Sequence, residues 1–253
     1  MREMKLHRRD FLKLSAVGTA VISGMKLIKF ASASTGDVGP HQWAMIIDQN
    51  KCTGCNYCTL ACRAHNDIPP EISWNVVTQS GTIGKKPVFI SRPCMQCAQA
   101  PCVEVCPVKA SYYRPDGIVM MDYDRCIGCR YCEVACPYSA RSFNWEEFTG
   151  DNPSVPEWGE PEIPRRPRGV VEKCSFCSNR IDRGLSLGLM PGIDPEATPA
   201  CVNICPTGAR IFGDLEDINS TLVKLLGKRA SYRLREDLAT FPRVYYLHAN
   251  EES

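Results

Sequence analysis

Cys126-Ile-Gly-Cys-Arg-Tyr-Cys-Glu-Val-Ala-Cys-Pro137 places four cysteines, Cys126, Cys129, Cys132 and Cys136, in one short run, with a proline straight after the last. Three thiols at i, i+3 and i+6 let a single loop wrap three corners of an iron–sulfur cubane, whose irons lie only a few ångströms apart. Gly128 relieves crowding where the backbone must bend tightly. Pro137 has a fixed φ and no N–H, so it favours a stop or turn after the last ligand.

Sixteen cysteines in 253 residues resolve into four such sets with none left over: Cys52, Cys55, Cys58, Cys62; Cys94, Cys97, Cys102, Cys106; Cys126, Cys129, Cys132, Cys136; and Cys174, Cys177, Cys201, Cys205. Two other chemistries compete for them. A disulfide framework is disfavoured because neighbouring cysteines at these separations cannot pair without strain. Structural zinc usually takes two separated Cys-x-x-Cys knuckles, a pattern that only the fourth set approaches, with Cys174 and Cys177 well before Cys201. Neither Met nor aromatic residues suggest ligands. The four histidines, His7, His41, His65 and His248, do not cluster, and His65, just past Cys62, is expected to hydrogen-bond rather than ligate.

Net charge is +2, but residues 1–33 carry seven Lys/Arg and two Asp/Glu, a contribution of +5, which leaves 2 − 5 = −3 for the remainder. Bound iron–sulfur clusters add further negative charge (roughly −2 each), so the mature protein is acidic and nucleic acid is excluded as a partner. The same N-terminal stretch contains His7-Arg8-Arg9-Asp10-Phe11-Leu12-Lys13, a twin-arginine export pattern, and Ala31-Ser32-Ala33, an A-x-A cleavage site. Its longest uncharged run, Leu14 to Met25, is too short to span a bilayer comfortably. Export of an already folded protein, with metal inserted in a reducing compartment, reconciles so many cysteines with an extracytoplasmic address. No stretch after Ser34 approaches eighteen apolar residues, so membrane contact is expected through a partner.

The sets repeat. Lys51-Cys-Thr-Gly-Cys-Asn-Tyr-Cys-Thr-Leu-Ala-Cys62 matches Arg125–Cys136 at an offset of 74, and the match extends upstream to Asp48 with Asp122 and Ile46-Ile47 with Met120-Met121, both read as strands entering a cluster loop. Cys102-Val-Glu-Val-Cys-Pro-Val-Lys-Ala110 matches Cys201-Val-Asn-Ile-Cys-Pro-Thr-Gly-Ala209 at an offset of 99. Sets one and three are thus one type, and sets two and four another. In two-cluster ferredoxins the fourth cysteine of each run ligates the other cluster. The sequence therefore predicts an α+β fold of two interleaved bacterial-type ferredoxin (βαββαβ-like) modules with loop insertions. An inner module spans 88–143, with a turn at Asp116-Gly117, and an outer one is built from 34–87 and 144–253. Neither half buries much apolar core, so the clusters hold the fold.

The remaining segments are read as follows. Trp74-Asn-Val-Val77 forms a strand followed by a loop at Ser80-Gly-Thr-Ile-Gly84. Residues 146–168, rich in Pro, Glu and Gly, form a solvated insertion or a docking surface for a partner subunit. A helix starts near Asn179–Leu187 before a turn at Met190-Pro-Gly192, another helix covers Ile218–Leu226, and Tyr245-Tyr246-Leu247 is a closing strand.

From Ala44 to about Leu247 the chain resembles the iron–sulfur subunits of the dimethyl sulfoxide reductase-type oxidoreductases. It is similar to those of polysulfide, tetrathionate and cytochrome-type nitrite reductases, of menaquinone reductase and of the sulfite-reductase-associated membrane complex. The resemblance implies four [4Fe–4S] clusters. One is held by Cys52, Cys55, Cys58 and Cys205; one by Cys94, Cys97, Cys102 and Cys136; one by Cys126, Cys129, Cys132 and Cys106; and one by Cys174, Cys177, Cys201 and Cys62. Some relatives carry tryptophan at one position of the third set and a [3Fe–4S] centre, but every position here is cysteine.

The resemblance further implies a non-catalytic electron-transfer subunit on the periplasmic face of the cytoplasmic membrane. Its partners are an integral membrane quinone-handling subunit of the polysulfide-reductase type and a molybdenum catalytic subunit or a haem subunit. The alternative is a free-standing periplasmic polyferredoxin shuttling electrons between soluble partners. Lys51, Lys109, Arg125 and Lys173 stand beside ligands, where a cation raises a cluster's potential. Mass spectrometry of the exported protein is expected to give a mature chain beginning at Ser34; an intact Met1 terminus on that protein would overturn the cleavage reading.

Overall fold

Trp43–Asp48 is buried along its whole length and forms β1, the strand on which the larger sheet is built. The computed structural model of the chain describes residues 39–249; the twin-arginine segment and the cleavage site before Ser34 lie outside them. On one side β1 pairs antiparallel with β8 (Arg210–Asp214), Ile46 opposite Ile211, and on the other it pairs parallel with β10 (Val244–Leu247), Met45 opposite Val244. A two-residue strand, β9 (Ser231–Tyr232), closes the order β8-β1-β10-β9.

Side chains alternate across β1 as the two-residue period of a strand requires. Trp43, Met45 and Ile47 enter the main core, while Ala44 and Ile46 meet Leu222 and Leu247 in a second cluster beneath α6 (Thr221–Lys228). A strand covered on both faces reads as a continuous apolar run, which is why Trp-Ala-Met-Ile-Ile carries no polar alternation. The main core is part sulfur: Cys62, Cys94, Cys97, Cys102, Cys132, Cys174 and Cys201 pack among Trp43, Phe176, Phe212 and Tyr246.

Three hairpins complete the strands: β2 (Val76–Ile83) with β3 (Lys86–Arg92), β4 (Ser111–Tyr113) with β5 (Val119–Met121), and β6 (Ser142–Phe143) with β7 (Val171–Glu172). The β4–β5 hairpin turns at Asp116-Gly117 as expected. Helices are short. α1 (Tyr57–His65) packs against α5 (Ala200–Asn203), and α2 (Pro101–Glu104) against α3 (Tyr131–Val134). So the helix of the first cysteine set lies on that of the fourth, and the helix of the second on that of the third. α4 (Ser178–Ser186) occupies the spacer inside the fourth set, close to its expected place. No helix among the described residues is long and apolar enough to cross a membrane.

Three expectations are corrected. Ser80–Ile83 is strand rather than loop: β2 continues through a bulge between Gln79 and Gly81 and turns only at Gly84-Lys85, because β3 supplies a full hydrogen-bonding partner. The helix expected at Ile218–Leu226 begins at Thr221, because the Ser220 hydroxyl caps it by accepting from the Val223 N–H at 3.2 Å; Ile218 is left 77 % exposed.

Residues 146–168 contain no helix or strand but are not merely solvated. Asn152 donates to Asp67 Oδ1 and the Arg63 carbonyl, Arg165 binds Asp67 Oδ2 at 2.6 Å, and Arg166 binds the Asn66 and Asp67 carbonyls. Arg166 also forms a fully buried ion pair with Glu172 at 2.5 Å, and Glu162 pairs with His65 and Arg180. The segment is a strap across the end of α1.

Leu222 is 0 % exposed where α6 meets Ala44, Ile46 and Leu247 of the second cluster. Leu222→Ala is expected to lose about 2–5 kcal/mol, read as a fall on the order of 10 °C in the melting midpoint of the holoprotein; an unchanged midpoint would show that this cluster does not support the fold.

Candidate metal centres

The cysteine loops owe their shape to a few residues forced into left-handed backbone. Gly54 and Gly128 have φ of 75° and 67°, and the residues two further on, Asn56 and Arg130, have φ of 64° and 60°; the 74-residue repeat is thus a repeat of backbone conformation. A Cβ on Gly128 would meet the Gly169 carbonyl oxygen at 2.3 Å, so the loop is pressed against the chain entering β7. A second turn recurs three residues after the last cysteine of sets two, three and four. Lys109, Ser139 and Gly208 have φ of 54°, 51° and 60°, each donating its N–H to the carbonyl of Cys106, Cys136 or Cys205.

These loops bring the sixteen thiols into four groups. Cys52, Cys55, Cys58 and Cys205 line one cavity (site I). Cys94, Cys97, Cys102 and Cys136 line a second (site III). Cys106, Cys126, Cys129 and Cys132 line a third (site IV). The fourth group, site II, joins Cys62 to Cys174, Cys177 and Cys201. In every group three cysteines come from one set and the fourth from its partner set. Neighbouring groups approach through single residues: Cys58 and Cys201 link sites I and II, Cys174 and Cys94 link II and III, and Cys102 and Cys132 link III and IV. The order is therefore I–II–III–IV. All four thiols of site II are buried, whereas Cys55 in site I and Cys129 in site IV are exposed.

None of the sixteen forms a disulfide. No cluster of three or more His, Cys, Asp or Glu among the described residues is set to hold a single metal ion. His65 binds Glu162 at 2.9 Å.

The surroundings fit an anionic group with sulfur ligands. Burial, reinforced by neighbouring thiols, pushes Cys97 and Cys174 up to about 12 and Cys62 well above its ordinary value. In the bare chain these thiols are neutral, and any metal they bind must displace their protons. N–H groups stand ready for the sulfurs as thiolates. Asn75 Nδ2 donates to Cys58 Sγ at 3.3 Å, the Ala209 N–H to Cys205 Sγ at 3.3 Å, the Phe176 N–H to Cys174 Sγ at 3.4 Å, and Asn66 Nδ2 reaches Cys62 Sγ at 3.7 Å.

Two buried arginines lack acceptors: Arg141 for Nε and Nη2, beside site III, and Arg210 for Nε, beside site I. An uncompensated buried cation costs several kcal/mol, so donors of this kind beside four-thiol cavities match bound anions. Four convergent sulfurs and orphaned cationic N–H groups together suit iron–sulfur cubanes.

Asn66, Asn75, Arg141 and Arg210 were not singled out from the sequence. The arginines left a signal: Cys136-Pro-Tyr-Ser-Ala-Arg141 and Cys205-Pro-Thr-Gly-Ala-Arg210 share Cys-Pro-x-x-Ala-Arg. Of the cations named beforehand, Lys173 is buried, whereas Arg125, Lys51 and Lys109 are at least partly open to solvent.

A family described as a 4Fe-4S dicluster domain matches residues 86–151 and a second of the same description matches 125–209, while a 4Fe-4S binding domain matches 43–64. Among curated relatives, a chain of Halobacterium salinarum provisionally named as an iron–sulfur subunit of a dimethyl sulfoxide reductase is 42 % identical over 81 % of this chain and 79 % of its own length. The iron–sulfur cluster-binding subunit of menaquinone reductase from Nitratidesulfovibrio vulgaris is 40 % identical over 83 % and 90 %. A subunit of tetrathionate reductase from Salmonella typhimurium is 35 % identical over 96 % and 89 %. The chain thus carries multiple [4Fe–4S] clusters.

Gly128→Val puts a branched side chain at positive φ against the Gly169 carbonyl. The purified variant is expected to lose about four irons, one cubane; unchanged iron content would show that the loop tolerates a side chain and that its glycine is not needed for the cavity.

Proposed function

This chain belongs to the iron–sulfur subunits of the dimethyl sulfoxide reductase-type oxidoreductases. From that premise we propose that it relays single electrons through four [4Fe–4S] clusters between a quinone-interacting membrane subunit and a redox partner subunit of an exported respiratory complex. The observation that carries the reading is the single row of four thiol groups, buried in the middle and ending at exposed Cys55 and Cys129. Such a row suits one-electron transfer between its two exposed ends.

In this reading Cys52, Cys55, Cys58 and Cys205 ligate the cluster of site I; Cys62, Cys174, Cys177 and Cys201 that of site II; Cys94, Cys97, Cys102 and Cys136 that of site III; and Cys106, Cys126, Cys129 and Cys132 that of site IV. The cavity linings support three of these sets, and the mutual approach of Cys62, Cys174, Cys177 and Cys201 supports the other. The helix pairs α1 with α5 and α2 with α3 support an inner ferredoxin module at 88–143 enclosed by an outer one at 34–87 and 144–253. The chain's own work is to fix the spacing of the centres and set their electrostatics through N–H···S contacts, buried cations and exposure.

Export by the twin-arginine route places the protein on the outer face of the cytoplasmic membrane, held there by a polysulfide-reductase-type membrane subunit. The menaquinone reductase name of one relative supports the quinone link for that relative's complex, and a molybdenum or haem subunit is the redox partner. Recovery of the untagged protein as a monomer from the soluble fraction, with none in the membranes, would overturn the complex and favour a free-standing polyferredoxin.

Iron analysis is expected to give about sixteen irons per chain, with no oxidised-state [3Fe–4S] signal in electron paramagnetic resonance; about eight irons would refute four cubanes. Cys136→Ser is expected to damage the cluster of Cys94, Cys97 and Cys102 and spare that of its own run, and the reverse pattern would overturn the crossed ligation.

A further inference from the structure

Three cations are buried in the interior with no carboxylate among the described residues in ion-pair distance: Arg141, Lys173 and Arg210, exposed by 3 %, 2 % and 4 %. Each stands at a different junction of the row. Arg210 faces Cys52 and Cys58 of site I and Cys62, Cys174 and Cys201 of site II. Lys173 faces Cys174 of site II and Cys94 and Cys102 of site III. Arg141 lines site III beside Cys94 and Cys102 and approaches Cys132 of site IV.

Their remaining contacts are neutral. Arg210 Nη2 donates to Asn75 Oδ1 at 2.8 Å, and Asn75 itself donates to Cys58 Sγ. Lys173 Nζ donates to the carbonyls of Val119 and Cys174, the first from β5 of the inner segment and the second from the fourth cysteine set. Arg141 Nη1 meets Met121 Sδ at 2.9 Å. Burial works against the charge of all three: it leaves Lys173 below its ordinary value, while sulfur in the thiolate form beside Arg141 and Arg210 holds those guanidiniums above theirs.

Building on the four-cluster reading, we propose that Arg210, Lys173 and Arg141 are positioning cations, one shared by each adjacent pair of clusters, and that each raises the reduction potential of both its neighbours together. A reduced cluster carries one more negative charge than its oxidised form. A fixed positive charge between two clusters therefore stabilises the reduced state of each, and in a low-dielectric interior that stabilisation is large. The same charge offsets the repulsion that an electron on one cluster exerts on the next. The pairing has a signature that mere packing does not: each cation controls two centres out of four, and the pairs overlap along the row.

The test is potentiometric titration of the full-chain holoprotein followed by electron paramagnetic resonance, the signals being assigned with the cysteine variants. In R141Q the reduction equilibrium constants of the clusters at sites III and IV are expected to fall at least tenfold (59 mV for one electron), those at sites I and II staying put. R210Q is expected to shift sites I and II, and K173Q sites II and III.

A shift confined to one cluster of a pair, an equal shift in all four, or no shift would overturn the proposal. Should R141Q not retain its clusters, R141K decides. Full iron content with potentials at sites III and IV within tenfold of wild type supports the charge role, and continued loss of clusters assigns the residue to packing and overturns it. Wild-type iron well short of about sixteen per chain would sink the four-cluster reading on its own, before any variant is compared.

Discussion

Three thiols on a tight loop can surround a cavity on three sides only, and in each lined cavity of this protein the fourth side is supplied by a cysteine from another set. Cys205 completes the cavity of Cys52, Cys55 and Cys58, and Cys136 that of Cys94, Cys97 and Cys102. That geometric constraint dictates the rest of the structure. It requires α1 against α5 and α2 against α3, and it puts the last third of the chain beside the first. It also explains why the central strand β1 takes one neighbour, β8, from just beyond the fourth cysteine set and the other, β10, from the C-terminal end.

Closing the cavities this way creates an electrostatic difficulty that the interior answers locally. Sulfur ligands must be charged to hold metal, yet burial drives these thiols toward their neutral form. The interior therefore carries amide donors at Asn66 and Asn75, a backbone N–H from the turn after Cys205, and cations with no carboxylate partner among the described residues. Without bound anions the cations are destabilising. With them, the buried charges of both signs compensate, so folding and cofactor binding are one process.

Much of this was legible in the residues because cysteine spacing is a direct record of metal geometry, and a repeat at a constant offset records a repeated loop. Both β strands entering the cluster loops and the Asp116-Gly117 hairpin were readable on that basis. What escaped was set by contacts far apart in the chain. β2 is a strand because β3 pairs with it, although Ser80-Gly-Thr-Ile-Gly84 has the composition of a loop. The strap at 146–168 looks solvated by composition, but Arg166 is buried because Asn66, Asp67 and Glu172 receive it. Arg141 and Arg210 differ from the many surface arginines only by their place after a Cys-Pro turn. A single copy of that pattern says little; the second copy carries the information.

The sealing of site I by Cys205 also bears on how the protein is made. Synthesis runs from the N-terminus, so Cys52, Cys55 and Cys58 leave the ribosome long before Cys205 exists. Cys94 and Cys136, which share site III, emerge close together. The middle of the polypeptide is therefore the first part to have every cysteine of its cavities synthesised. Contacts between ends so distant in sequence form late and slowly, and a translation product cut short anywhere before Cys205 leaves its earliest loop permanently open.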